Sequence, residues 1–239
     1  MVAELFHGKS WEVLKSWDPG NYEINCILTD PPYGMDFQST YGKDEEAREA
    51  YQRKIEDDHD VEVAIKNFHR TFRALQPHLH PTQVEMYVFS HWHVVGEWKD
   101  YLAALEPKYG FKLKQLLIWE KGYPGIGDVK TNWGAGHELI FYLKRGNRPM
   151  PYRRSGVLHV DKVRPGTNVH PSEKPLGLLN ILIEMSTSPG DWIVDPYAGS
   201  SSTLVAAREC GRNALGIEYD NAYYETGQRR LSSHSLFEV

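Results

Sequence analysis

Along the chain, short solid blocks of apolar residues alternate with longer stretches in which apolar positions recur every three or four residues. The blocks at 2–6, 24–29, 84–90, 113–119, 139–143, 191–195 and 213–217 have the length and composition of buried strands. Between them, Val61, Ile65, Phe68, Phe72 and Leu75 share one helical face, as do Leu176, Leu179, Leu182, Ile183 and Met185. Shorter helices are expected at 11–17 and 204–210. This alternation argues for an α/β fold with a mostly parallel sheet and helices on both faces. Two stretches break the pattern. Residues 38–60 are polar, with eight acids and four bases between Lys43 and Asp60, and read as an exposed helix or a mobile arm whose charges are solvated. Residues 144–168 carry little apolar content and read as a loop or hairpin.

Composition narrows the class. At 239 residues and 41% hydrophobic, the chain can bury the core of one domain, so residues 1–239 are expected to form a single unit. The segment 1–11 lacks a basic-then-apolar leader, and no apolar run is long enough to span a bilayer. A cytoplasmic location, with no membrane partner, is the expectation. Cys26 and Cys210 then read as core thiols in a reducing compartment. The formal charge of −5 argues against an acidic partner until its distribution is read. Lys144 to Lys174 holds eight Lys or Arg against two acids, a net of +6 that leaves −11 on the rest. A local basic stretch supplies phosphate contacts even on an acidic molecule.

The chemistry concentrates at two strand ends. Asp30, Pro31, Pro32 and Tyr33 follow the block 24–29. Prolines lack an N–H, so this turn offers carbonyl acceptors with few competing donors, and Asp30 adds a carboxylate. Tyr33 adds a stacking face. Such a pocket suits a flat ring carrying an amino group, as a flipped nucleobase does; the plainer alternative is a proline turn with a capping aspartate. The second site is Asp195, Pro196, Tyr197, Ala198, Gly199, Ser200, Ser201 and Ser202, a tight small-residue turn between strand and helix. Some twenty residues on, Glu218 and Tyr219 close the next strand, with an acid placed to accept from ribose hydroxyls. The turn has too few glycines for a dinucleotide and no phosphate-cradling series. A positively charged, phosphate-free nucleoside fits better.

These motifs, in this order, resemble the β arrangement of DNA amino-methyltransferases, in which the catalytic tetrapeptide precedes the cofactor loop. Asp30 to Tyr33 matches the adenine-type tetrapeptide; cytosine-amine enzymes usually begin it with serine. Trp119-Glu120-Lys121, Pro124 and His137-Glu138-Leu139-Ile140 resemble the family's middle block. His170-Pro171-Ser172-Glu173-Lys174-Pro175 resembles the segment whose lysine faces the cofactor's methionine end. Gly211-Arg212 and Tyr223 follow the cofactor loop in the expected places. The resemblance implies a Rossmann-like methyltransferase fold with a seven-stranded sheet and circularly permuted motifs. It further implies S-adenosylmethionine as cofactor, double-stranded DNA as partner, and the exocyclic amine of a flipped adenine as acceptor. A homodimer is among its expectations. Cytosine-amine or RNA methylation, and a catalytically inactive DNA-binding subunit, remain alternatives.

Two positions depart from the family. Ser201 stands where glycine is usual, so a left-handed backbone there is strained. Lys9 follows Gly8 where an acid near the cofactor adenine is usual. For DNA, Arg153, Arg154 and Arg164 in the basic stretch are expected to contact phosphates, with 144–168 as a small recognition element, 38–60 as a contacting arm, and Trp133 as a further contact. His91-Trp92-His93 and His78-Leu79-His80 lack the neighbouring cysteines and acids of a metal site, so no metal is expected.

Overall fold

A computed structural model of the chain describes residues 1–18, 20, 22–35, 59–123, 130–162 and 173–234. Eight strands form one sheet: β1 (Ala3–His7), β2 (Ile24–Thr29), β3 (Val84–Ser90), β4 (Lys112–Glu120), β5 (His137–Arg145), β6 (Val157–His159), β7 (Trp192–Asp195) and β8 (Asn213–Glu218). Their order across the sheet is β1-β8-β7-β2-β3-β5-β4-β6. Among them β5 alone runs against its neighbours, pairing antiparallel with both β3 and β4. The strand count exceeds the expected seven because β6 adds to the edge of β4, Leu158 opposite Trp119. Its alternating burial, with only Leu158 buried, leaves a three-residue signal inside a segment read as loop.

Helices cover both faces, as the alternation predicts. One face packs α5 (Leu176–Ser186), α6 (Ser202–Glu209) and Leu231 of α7 (Asn221–His234) on residues such as Leu28, Phe89 and Ile193. The other packs α1 (Ser10–Ser16), α2 (Val61–Leu75) and α3 (Val95–Ala103) on Ile27, Val88 and Val194. A further single turn, α4 (Glu106–Tyr109), ends at Gly110 in a left-handed cap. In α2 the apolar face at Phe68, Phe72 and Leu75 is buried. Asp60 starts that helix, its side chain accepting from the amides of Glu62 (2.7 Å) and Val63 (3.1 Å). Such a cap stabilises a helix by about 1 kcal/mol.

The winding reverses between β2 and β7. From β2 the chain builds β3, β4, β5 and β6 on one side, with β5 inserted between β3 and β4, then returns to lay β7 on the other side of β2 and continues to β8. Open α/β sheets bind ligands beyond the strand C-termini at such a reversal. Asp30 follows β2 and Pro196 follows β7, so both motifs meet at that crevice.

Candidate active site

The two strand ends are joined by a buried carboxylate. Asp195 closes β7 and accepts from Thr29 Oγ1 at the end of β2 (2.9 Å), from Thr203 Oγ1 at the start of α6 (2.6 Å) and from the Tyr197 amide (3.1 Å). Burial raises its carboxyl to about 6, against the lowering pull of those three donors. Strand, loop and helix are thereby fixed to one atom group.

On the β2 side, the Tyr33 hydroxyl donates to Asp30 Oδ1, and the Tyr33 carbonyl accepts from Trp98 Nε1 (3.3 Å). Gly34 turns the chain away with φ of 84°, and a Cβ there would collide with the Val61 backbone. A side chain at 34 would therefore push α2 off the tetrapeptide. Asp30 Oδ2 pairs with Lys174 Nζ at 2.5 Å. The same ammonium lies 3.1 Å from Glu138 Oε2 and 4.8 Å from the centre of the Phe89 ring. Its approach to Glu138 is an ion pair rather than a well-aimed hydrogen bond, since Oε2 has no partner of hydrogen-bond geometry among the described residues. Glu138 in turn pairs with Lys121 (2.8 Å). Asp30, Lys174, Glu138 and Lys121 thus form a row of alternating charge across β2, β5 and the end of β4. Burial pushes Glu138 up, but Lys174 and Lys121 outweigh it and hold the carboxyl at about 2. Burial likewise opposes the Lys174 charge, and Asp30 and Glu138 together hold the ammonium above its usual range.

On the β7 side, Glu218 accepts from the amides of Gly199 and Asp220, both at 2.7 Å. Burial raises its carboxyl to about 7 in spite of those donors. Ser201 is in the left-handed region with φ of 65°, as the missing glycine predicted, and is the only non-glycine so placed among the described residues. Its hydroxyl is buried without a partner among those residues. Beside the loop, Ser10 Oγ donates to the Pro196 carbonyl, and His7 Nε2 bonds the Tyr219 carbonyl (2.9 Å). Lys9 lies 5.1 Å from the centre of the Tyr219 ring, where the resemblance leads one to expect an acid.

The remaining candidates are scattered. Trp133 stands 96% exposed in the β4–β5 connection, at the end of the sheet that carries Asp30. Arg153 and Arg154 are exposed in the loop ahead of β6, where the neighbouring Gly156 abuts Gln115 midway along β4. They lie along the outer edge of the sheet and not in the Asp30 cluster. Arg164, most of the 38–60 arm, Pro124 and the His170–Ser172 segment lie outside the described residues. Among the described residues, no group of three or more His, Cys, Asp or Glu gathers as metal ligands, and no helix is long and apolar enough to cross a membrane. Sequence reading gave Glu138 and Ser10 no role in this site and passed over Arg230. A signal for Arg230 existed: Gly227, three positions earlier on α7, marks the helix face that packs closely on the side chains of Ser201 and Leu5.

A mostly parallel α/β sheet with acidic side chains beyond the strand ends on both sides of its winding reversal has the architecture of a nucleoside-cofactor methyltransferase. Comparison with known proteins makes the assignment specific. The profile of the DNA methylase family matches residues 24–229, and the chain belongs to that family: it is a DNA methyltransferase. YubD of Escherichia coli (strain K12), which carries a methylase name, is 32% identical over 232 residues, covering 97% of this chain and 91% of YubD. The DNA adenine methyltransferase YhdJ of the same organism is 37% identical over 142 residues, 54% of this chain and 48% of YhdJ. Among solved structures, the M1.HpyAVI–SAM complex superposes with a TM-score of 0.70 at 22% identity, covering 96% of this chain and 99% of that one.

Proposed function

We propose that this chain is a β-class adenine amino-methyltransferase, moving the methyl group of S-adenosylmethionine to the exocyclic amine of an adenine turned out of duplex DNA. The observation that carries the reading is the meeting of Asp30 and Pro196 at the crevice between β2 and β7. A methyl donor on the β7 side and an amine on the β2 side would there be neighbours.

The residues fit such a cofactor. Around the loop sit two carboxylates, Asp195 buried and Glu218 partly buried, and a hydroxyl-rich turn at 200–202. That donor set suits a cationic nucleoside with free ribose hydroxyls and would repel a phosphate. Bound there, S-adenosylmethionine supplies an electrophilic methyl on sulfur. Glu218 accepts from the ribose, and Pro196, Tyr197, Ala198, Gly199, Ser200, Ser201, Ser202 and Tyr219 wall the pocket. Lys174 is the cation available to the methionine carboxylate.

On the acceptor side, Asp30 and the Pro31 carbonyl take the two amine hydrogens while Tyr33 stacks on the ring and Pro32 stiffens the turn. Those bonds strengthen as the nitrogen becomes tetrahedral, so they favour the transition state over the bound base. The Tyr33–Asp30 hydrogen bond supports this reading by tying stacking face to acceptor. Lys174, shared by Asp30 and Glu138, keeps the acceptor oriented. DNA contacts are assigned to Trp133, Arg153, Arg154 and Arg164, with 38–60 as arm and 144–168 as recognition element of one domain over 1–239.

Plasmid DNA methylated in vitro and digested to nucleosides tests the assignment by mass spectrometry. N6-methyladenine is expected, and N4-methylcytosine alone or an unmodified digest would overturn it. Asp30→Ala should bind S-adenosylmethionine as tightly as the unaltered chain in calorimetry while losing most methylation. Near-normal turnover would remove Asp30 from the reaction.

A further inference from the structure

Arg230 lies on α7, one residue past the segment shared with the DNA methylase family. Its guanidinium is only 12% exposed and reaches two separate parts of the site. Nη1 donates to the Ser200 carbonyl (2.9 Å), Ser200 Oγ (3.0 Å) and Ser202 Oγ (3.0 Å). Nη2 donates to Glu173 Oε1 at 2.7 Å, and Glu173 is 9% exposed. Glu173 is the residue before Lys174, whose ammonium holds Asp30.

These contacts have a common geometry. Ser200 and Ser202 flank the left-handed Ser201, so the guanidinium grips the strained turn on both sides. A strained backbone persists only where its surroundings over-determine it. The opposite edge of the same planar group grips the neighbour of Lys174. A fork of fixed shape transmits position between two oxygen sets in a way a single flexible ammonium cannot.

We infer that Arg230 is a positioning residue that locks the 200–202 turn to the Lys174 segment, so that one side chain sets both the cofactor wall and the Asp30–Lys174 pair. The inference rests on reading 195–202 as the cofactor loop. It implies that α7, which touches no reacting atom, controls turnover through the separation of the two halves of the site.

Three measurements on the full chain test it: melting temperature, calorimetric affinity for S-adenosylmethionine, and kcat at saturating cofactor and DNA. Arg230→Met should bind the cofactor about tenfold more weakly, the loss of about one charged hydrogen bond. Its kcat should fall about ten- to a hundredfold even at saturation, as misplaced reacting groups do. Glu173→Gln weakens only the Lys174 side, reducing a charged pair to a hydrogen bond with a neutral amide, so kcat should fall while cofactor affinity stays within about twofold of the unaltered chain. That split is the signature of positioning, since a merely structural brace would shift melting alone. Lowered melting with unchanged affinity and kcat in both variants overturns the inference. Should Arg230→Met not fold, Glu173→Gln decides it by the same split, and unchanged kcat there overturns it. If the unaltered chain itself binds no S-adenosylmethionine, the reading of the loop fails, and the inference falls with it.

Discussion

Replacing Ser201 by glycine should make this protein more stable, although it deletes atoms from a buried site. The magnitude has four contributions. A non-glycine residue at φ of 65° costs about 1–2 kcal/mol. The Ser201 hydroxyl, buried without a partner among the described residues, costs about 1–2 kcal/mol more. Against these, glycine loosens the unfolded chain by about 0.4–1 kcal/mol, and losing the buried Cβ forfeits about 0.8 kcal/mol. The net is a gain of about 1.5 kcal/mol, or about 3–6 °C in Tm for a chain of this size. Ser201→Ala separates the two gains, since it deletes the hydroxyl but keeps the left-handed strain. It should therefore gain about 1.5 kcal/mol and melt close to Ser201→Gly, because in the glycine variant the relief of strain is offset by the looser unfolded chain and the lost Cβ. The neighbour across the gap sharpens the test. A Cβ on Gly227 would collide with Ser201 Oγ and lie 2.8 Å from Leu5 Cδ2, so Gly227→Ala should destabilise by about 1–3 kcal/mol. Combined with Ser201→Gly, part of that loss should return, giving a coupling above about 0.5 kcal/mol. Differential scanning calorimetry of the four variants reads all of this. A Ser201→Gly protein that melts at or below the native temperature would refute the strain argument.

Lys174→Met should destabilise by about 2 kcal/mol near neutral pH, less than a fully buried pair because Asp30 is partly exposed. Glu138 is held at about 2 when folded and is near 4.5 unfolded, so its stabilisation is full above pH 4.5 and lost as pH falls towards 2. Denaturant melts of Lys174→Met and the unaltered chain should accordingly converge below about pH 4; a constant gap would disprove the pairing. Glu218 runs the other way: raised to about 7 when folded, it favours the folded state below 4.5, and that stabilisation is lost as pH rises to 7. Cofactor affinity should conversely rise across pH 6–8 as the carboxylate forms, and Glu218→Gln should flatten that rise in calorimetric titrations. Arg153→Ala with Arg154→Ala should weaken binding to every DNA sequence alike and lower the salt slope by about one to two charges. An unaltered slope would move the DNA contact away from the outer edge of the sheet.

The sequence made the two strand-end motifs legible because all their signals are local. A solid apolar block running into Asp30-Pro31-Pro32-Tyr33, or into a turn of small residues, declares a buried strand and its terminal loop without any partner. Val84–Ser90 is legible to the residue for the same reason, being buried at every position. The charge row was not legible. Lys174 reads from the chain only as a cofactor ligand; its pairing with Glu138 emerges once β5 lies beside β3, and that pairing is a property of the sheet. α3 and α4 escape notice because one is short and weakly amphipathic and the other is a single turn. Arg230 sits among polar residues of α7 and looks solvated until Ser200 and Glu173 are placed around it. The short β6 strand, which sets the loop of Arg153 and Arg154 along the sheet edge, was not legible because its three residues carry only one buried position.

The hydrogen bond from Thr29 to Asp195 spans 166 positions of chain and joins the two strand ends of the proposed site sideways. Nothing in it depends on which half is translated first. The proposed donor and acceptor pockets are registered by adjacent rungs of one ladder, β2 against β7, whichever order the backbone visits them in. For an architecture wired in this way, gene rearrangement that exchanges the two halves preserves the chemistry provided the rungs still pair. The order of motifs along this chain is then a record of ancestry, while the alignment of the two strand ends is the property on which selection acts.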